Sequence, residues 1–191
     1  MQLRNQTGFA MMEVLVTAII LAIGISGMGV LLLKAMQGTQ DSSQHSQAMW
    51  MVQDYITRIR SNVYGARASF YELSGAKDCS VRPTICAEYY EGGNEVAAAS
   101  CSYQEMAIFD QWITVCGMDD AVFDSAADFI LNPELTSTCT KTTDRISTTT
   151  GKPDCVQYHV NLKWNTKVKQ GGDTDQERSY QNNYSMIVEL N

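Results

Sequence analysis

Glu13 is a carboxylate set near the start of a predominantly apolar run from Phe9 to Leu33. A carboxylate at the centre of a membrane-spanning helix costs about 3 kcal/mol or more on insertion scales, so an acid close to such a segment needs a counter-charge. Cleavage between Gly8 and Phe9 would supply one, because the freed α-amino group of Phe9 would lie one helical turn from Glu13. In an assembly the same carboxylate would pair with the Phe9 amine of a neighbouring copy. The chemistry these residues offer is maturation by a peptidase followed by charge pairing.

Six cysteines, Cys79, Cys86, Cys101, Cys116, Cys139 and Cys155, all follow the apolar run. An even number confined to one part of a chain points to structural disulfides formed in an oxidising compartment. Sequence neighbours are the expected partners: Cys79 with Cys86, Cys101 with Cys116, and Cys139 with Cys155. No Cys-x-x-Cys spacing occurs, which argues against a thioredoxin-like centre or a zinc ribbon.

Other reactive types are sparse. The two histidines, His45 on the polar side of a helical pattern and His159 on the polar face of a strand pattern, have no local nucleophile or acid in a recognisable arrangement. There is no glycine-rich phosphate loop, no paired-histidine zinc pattern and no cofactor signature, so the chain reads as a non-enzyme. Asp119, Asp120, Asp124 and Asp128 fit the start of a helix, where acids are favourable in any case. Asp173, Asp175 and Glu177 alternate in a polar loop that lacks the full spacing of a calcium motif, and they read as a solvated turn. A net charge of −7 argues against a broad basic surface for nucleic acid.

The elements that position Glu13 come first in the chain. Residues 9–33 would form a helix about 38 Å long, enough to cross a hydrocarbon core of about 30 Å. Residues 1–8 are polar and carry Arg4, which favours a cytoplasmic start and an outward head. A secretory signal places its apolar region before the cleavage site, whereas here the candidate site precedes it, so cleavage leaves the membrane segment on the mature chain. An uncleaved signal anchor is the competing reading. Thr17, Gly24, Ser26, Gly27 and Gly29 are small residues of the kind found where membrane helices pack closely.

Gly8-Phe9-Ala10-Met11-Met12-Glu13-Val14-Leu15-Val16, followed by Leu21-Ala22-Ile23-Gly24-Ile25-Ser26-Gly27, closely resembles the N-terminal signature of type IV pilins and pseudopilins. The resemblance covers roughly residues 4–62 and is nearest to minor pilins. It implies a leader removed by a prepilin peptidase between Gly8 and Phe9, N-methylation of Phe9, and a role for Glu13 in subunit registration. The implied partners are other minor pilins, the major pilin, an inner-membrane assembly platform and, before assembly, membrane lipid. The implied location is the inner membrane, single-pass with a periplasmic head, and then the pilus. Many major pilins carry a proline within the first helix, and this chain has none before Pro83. Two other readings stay open: a pseudopilin of type II secretion, and a membrane-tethered adhesin.

The rest of the chain predicts a head. Ala48, Met49, Val52, Tyr55, Ile56, Ile59 and Val63 make one apolar stripe, so the helix should continue to about Asn62, with Gly38 to Ser43 its weakest part. Arg58 and Arg60 read as charges suited to a helix C-terminus. Residues 74–102 read as loops and short strands. A short helix should place Met106, Phe109, Trp112, Ile113 and Cys116 on one face before Gly117, and another should span 121–131. Val156 to Trp164 alternates with period two, as does Tyr180 to Leu190, which predicts an antiparallel pair with Tyr158, Trp164, Tyr180 and Tyr184 in the core. The expected fold is α+β and type IV pilin-like: a long N-terminal helix packed on a small antiparallel sheet in a disulfide-rich head. Its expected segments are a leader at 1–8, a membrane or filament-core half at 9–33, an amphipathic half at 34–64 and a head at 65–191.

Overall fold

The structure is a computed structural model that describes residues 11–74, 78–91, 94–117, 130, 133–168 and 178–190. The chain divides into two compact units, one up to Ser42 and one from Ser43 onward. The expected helix at 121–131, its aspartates, and the loop holding Asp173, Asp175 and Glu177 lie outside the described residues, Ile130 excepted.

Helix α1, Met11–Ser61, runs without interruption through Gly38 to Ser43, the stretch expected to be weakest. A lone glycine costs about 1 kcal/mol against alanine, and no proline removes a backbone donor here. In the N-terminal unit the large apolar side chains of α1 are all exposed, from Met11 to Met36.

From Ala48 onward α1 turns one face into the core of the second unit. Ala48, Met51, Val52, Tyr55, Ile56 and Ile59 are buried. Met51 takes a place the sequence reading assigned to Met49, which is half-buried. Val63 belongs to a new element, because α1 stops at Ser61 and Asn62 caps α2, Val63–Arg67. Asn62 Oδ1 accepts from the Gly65 N–H at 3.1 Å, which satisfies a donor the helix start would otherwise orphan. The short strands β1, Tyr89–Glu91, and β2, Asn94–Val96, then pair antiparallel.

Helix α3, Tyr103–Cys116, opens on a capping box in which Ser102 and Glu105 satisfy each other's backbone donors. It ends at Gly117, whose φ of 69° and ψ of −177° lie in a region open essentially to glycine. Its buried face differs from the apolar stripe read from the sequence. Phe109 and Trp112 are buried as expected, but Met106, Ile113 and Cys116 are only half-buried, while Asp110, Gln111 and Thr114 are buried. Polar side chains occupy this face because partners wait for them on α1 and on the chain after α2.

The main sheet has three strands, β3 (Glu134–Ile146), β4 (Pro153–Val168) and β5 (Arg178–Glu189), in that order and antiparallel. The sequence reading anticipated only β4 and β5. β3 escaped because it is mostly threonine and charge, with Leu135 and Ser137 alone fully buried along it. β4 is central, and its inner face buries Tyr158, Val160, Leu162 and Trp164, while Val188 and Leu190 bury beside them. These side chains share one core with the buried face of α1, so the long apolar helix is packed on the sheet in an α+β, type IV pilin-like fold. Tyr184 packs half-buried against that core.

Three disulfides close the head: Cys79–Cys116, Cys86–Cys101 and Cys139–Cys155. The expected links Cys79–Cys86 and Cys101–Cys116 are replaced by a nested pair. Cys101 and Cys116 lie at opposite ends of α3, and a 14-residue helix is about 21 Å long, three times the Cα separation a disulfide tolerates. Cys139 and Cys155 stand on neighbouring strands with Cα atoms 6.0 Å apart.

Candidate assembly helix and the polar clasp of the head

In the N-terminal unit Glu13 lies in the first turn of α1 and is exposed. No ion-pair partner for it is found among the described residues. Gly8 and Phe9 lie outside the described residues. The other polar groups of this stretch serve themselves: Thr17 Oγ1 donates to the Val14 carbonyl at 2.9 Å, and Ser26 Oγ donates to the Ala22 carbonyl at 2.8 Å. Such bonds let hydroxyls sit in an apolar medium without an outside partner. Among the described residues Glu13 has no comparable local donor.

A Cβ added at Gly24, Gly27 or Gly29 would meet nothing within 4 Å. The chain itself therefore does not require these glycines to be small. Among the described residues this helix is long and apolar enough to cross a membrane, and none of its most apolar window is buried inside the protein. A core helix would be covered, so the apolar surface is left for lipid or for other molecules.

In the second unit a set of polar side chains clasps α1, the segment after α2, and α3 together. The Tyr71 hydroxyl donates to Asp110 Oδ2. The Tyr55 hydroxyl donates to the Tyr71 carbonyl at 3.1 Å, and Gln111 Nε2 donates to the Phe70 carbonyl at 3.0 Å. Asn62 Nδ2 donates to the Tyr103 carbonyl at 2.8 Å, and the Tyr158 hydroxyl donates to the Ala66 carbonyl at 2.6 Å.

Arg58, read from the sequence as a charge at a helix C-terminus, has a larger part. Its Nε is 2.7 Å from Asp54 Oδ2 and its Nη1 is 3.3 Å from Asp110 Oδ1, so it links α1 to α3. Burial pushes the Asp110 carboxyl above its ordinary range, against the opposing pull of Tyr71 and Arg58. Burial likewise pushes the Tyr55, Tyr71 and Tyr158 phenols well above their ordinary value. Groups so buried and so fully bonded act as structure.

The histidines stand apart from this clasp. His45 is exposed, as its place on the polar side of the helix predicts, and its ring lies 5.8 Å from that of Trp164 and 6.0 Å, edge-on, from that of Tyr184. His159 is half-buried on β4, between Thr138 and Ile187 in register. Among the described residues no group of three or more histidines, cysteines or acids is placed to hold a metal ion. The sequence reading missed Asp110, Gln111 and Asn62. The one usable signal was an aspartate and a glutamine inside an otherwise apolar helical stretch.

A long apolar helix, packed through its second half on an antiparallel sheet in a three-disulfide head, is the architecture of a type IV pilin-like subunit. A family model described as Tt1218-like, type IV pilin Tt1218, matches residues 30–112, so that stretch of the chain is similar to type IV pilins. No curated protein and no solved structure matches it. The matched stretch begins after Gly27, so it leaves out the residues from Gly8 to Gly27 that carry the N-terminal signature. Two separate parts of the chain thus point the same way. The exposed apolar helix is compatible, by length and composition, with membrane anchoring.

Proposed function

We propose that this chain is a minor type IV pilin, most like the minor pilin PilV, which joins other minor pilins to start or modify the pilus. The observation that carries the reading is the helix from Met11 through Met36: its large apolar side chains are all exposed, and in its first turn stands an acid with no ion-pair partner among the described residues. An apolar helix of this kind is stable in lipid before assembly and against like helices afterwards. A prepilin peptidase cuts between Gly8 and Phe9, the new amine is methylated, and Glu13 neutralises the Phe9 amine of a neighbouring subunit. The leader is then 1–8, the membrane or filament-core half 9–33, the amphipathic half 34–64 and the head 65–191.

The head sits in the periplasm until the inner-membrane platform moves the subunit into the fibre beside the major pilin. Motility, adhesion or DNA uptake are the processes such a fibre serves, and the subunit performs no covalent chemistry. Mass spectrometry of the purified native protein tests the maturation, with a chain beginning at N-methylated Phe9 expected and an intact chain from Met1 counting against it. Loss of twitching on deletion, with protein export preserved, separates this reading from a type II secretion pseudopilin.

A further inference from the structure

A cleft of about 280 Å³ opens on the head between α2, the first turn of α3 and the turn joining β3 to β4. On its rim Tyr64 and Tyr103 lie together, ring centroids 5.2 Å apart, and are 70% and 59% exposed. Two large aromatic rings left uncovered side by side form a platform for the flat face of a ligand. Arg67 also lines the cleft, and no ion-pair partner for it is found among the described residues. A guanidinium is a donor only, so what it can take from a ligand is an acceptor.

Arg145, also lining the cleft, is 78% exposed at its side chain and is held at 3.5 Å through Nε by the nearly buried Asp154. The far wall is preformed: Ser147 N–H donates to the Lys152 carbonyl and Gly151 N–H to the Ser147 carbonyl, with Gly151 at φ +67°. Ser147, Thr148 and Thr149 line that wall.

Aromatic faces, hydroxyl-bearing residues and a guanidinium with no carboxylate partner among the described residues make a set suited to a sugar ring that bears a carboxylate. The size fits a single residue of a glycan, at the low end of small-molecule sites. A nucleic acid strand is the poorer fit. The acids and bases before residue 43 cancel, so the whole net charge of −7 lies in the second unit, and a polyphosphate would approach against that field. We infer that the cleft between Tyr64, Tyr103, Arg67 and Arg145 is a binding site for an acidic saccharide, which adds a recognition function to the assembly role.

The test is ligand-observed NMR on the full chain in detergent micelles, using glucuronate, galacturonate and N-acetylneuraminate, with glucose and a short oligothymidylate as comparisons. At least one acidic sugar binds, and glucose binds about tenfold or more weakly, a difference read directly as a ratio of Kd values. Tyr64→Ala and Arg67→Gln each weaken the acidic sugar about tenfold. Neither residue supports the core, so both variants keep the parent's thermal midpoint. The inference is overturned if none of the three acids binds, if glucose binds equally well, if the oligothymidylate binds more tightly, or if Arg67→Gln changes nothing.

Discussion

Tyr71 donates its hydroxyl to Asp110, joining the chain just after α2 to the middle of α3 across 39 residues of sequence. Arg58 reaches the other oxygen of the same carboxylate, so one buried acid ties together α3, α1 and the segment after α2. The head is organised around this carboxylate as well as around its apolar core.

Replacing Tyr71 by Phe removes a hydrogen bond to a charged group and should cost about 1.5–3 kcal/mol, read as a lower urea midpoint with an unchanged slope. Asp110 also carries a pH signature. Its folded value is raised, chiefly by burial, so its contribution is fully present below the unfolded value of about 3.9 and is lost as pH rises through the folded value. Asp110→Asn should abolish that part of the stability profile, and an unaltered slope in the variant would refute the assignment.

The phenols of Tyr55, Tyr71 and Tyr158 are buried and raised. Their stability is present below the unfolded value of about pH 10 and is lost as pH rises from there towards the folded values. The phenolate absorbance of these three should therefore appear in one cooperative step coincident with loss of β-sheet circular dichroism. A single smooth titration with the sheet intact would show that the three phenols are not held as described.

Gly65 is small because Asn62 leans over it. A Cβ there would fall 2.6 Å from Asn62 Nδ2 and 2.9 Å from its Cγ and Oδ1. Asn62 cannot move aside without losing its bonds to Gly65 N–H and the Tyr103 carbonyl. Gly65→Ala should cost about 1–3 kcal/mol, the penalty of unmaking those bonds. In an Asn62→Ala background the same change should become neutral or stabilising, by up to about 1 kcal/mol from helix propensity. Equal costs in the two backgrounds would rule out the clash.

The nested disulfides are distinguishable by mass mapping of a non-reduced digest, which should return Cys79–Cys116, Cys86–Cys101 and Cys139–Cys155. Their loops differ in length, with separations of 37, 15 and 16 residues. The chain-entropy argument then gives about 4 kcal/mol for the first and about 3 kcal/mol for each of the others. Serine replacement of Cys79 with Cys116 should accordingly be the most damaging of the three double variants.

Local periodicity made much of this protein legible. The apolar run before Leu33, the stripe from Ala48 to Ile59, the glycine stop at 117 and the two alternating strands follow from which face each residue presents, a matter of spacing alone. The same reading also held a conclusion it did not draw. Once Cys116 is placed at the end of a helix that begins just after Cys101, helix length alone forbids their bond.

The tertiary structure decided what depends on distant partners. β3 is a strand because β4 offers it a ladder, although its threonine-rich sequence has few apolar residues to advertise a buried face. Met51 displaces Met49 because the core lies on one side of α1 and not the other. Asp110 is buried because Tyr71 and Arg58 meet it there. A side chain's face is set by its neighbours along the chain. Whether that face is covered, and by what, is set by groups tens of residues away whose approach no local pattern encodes.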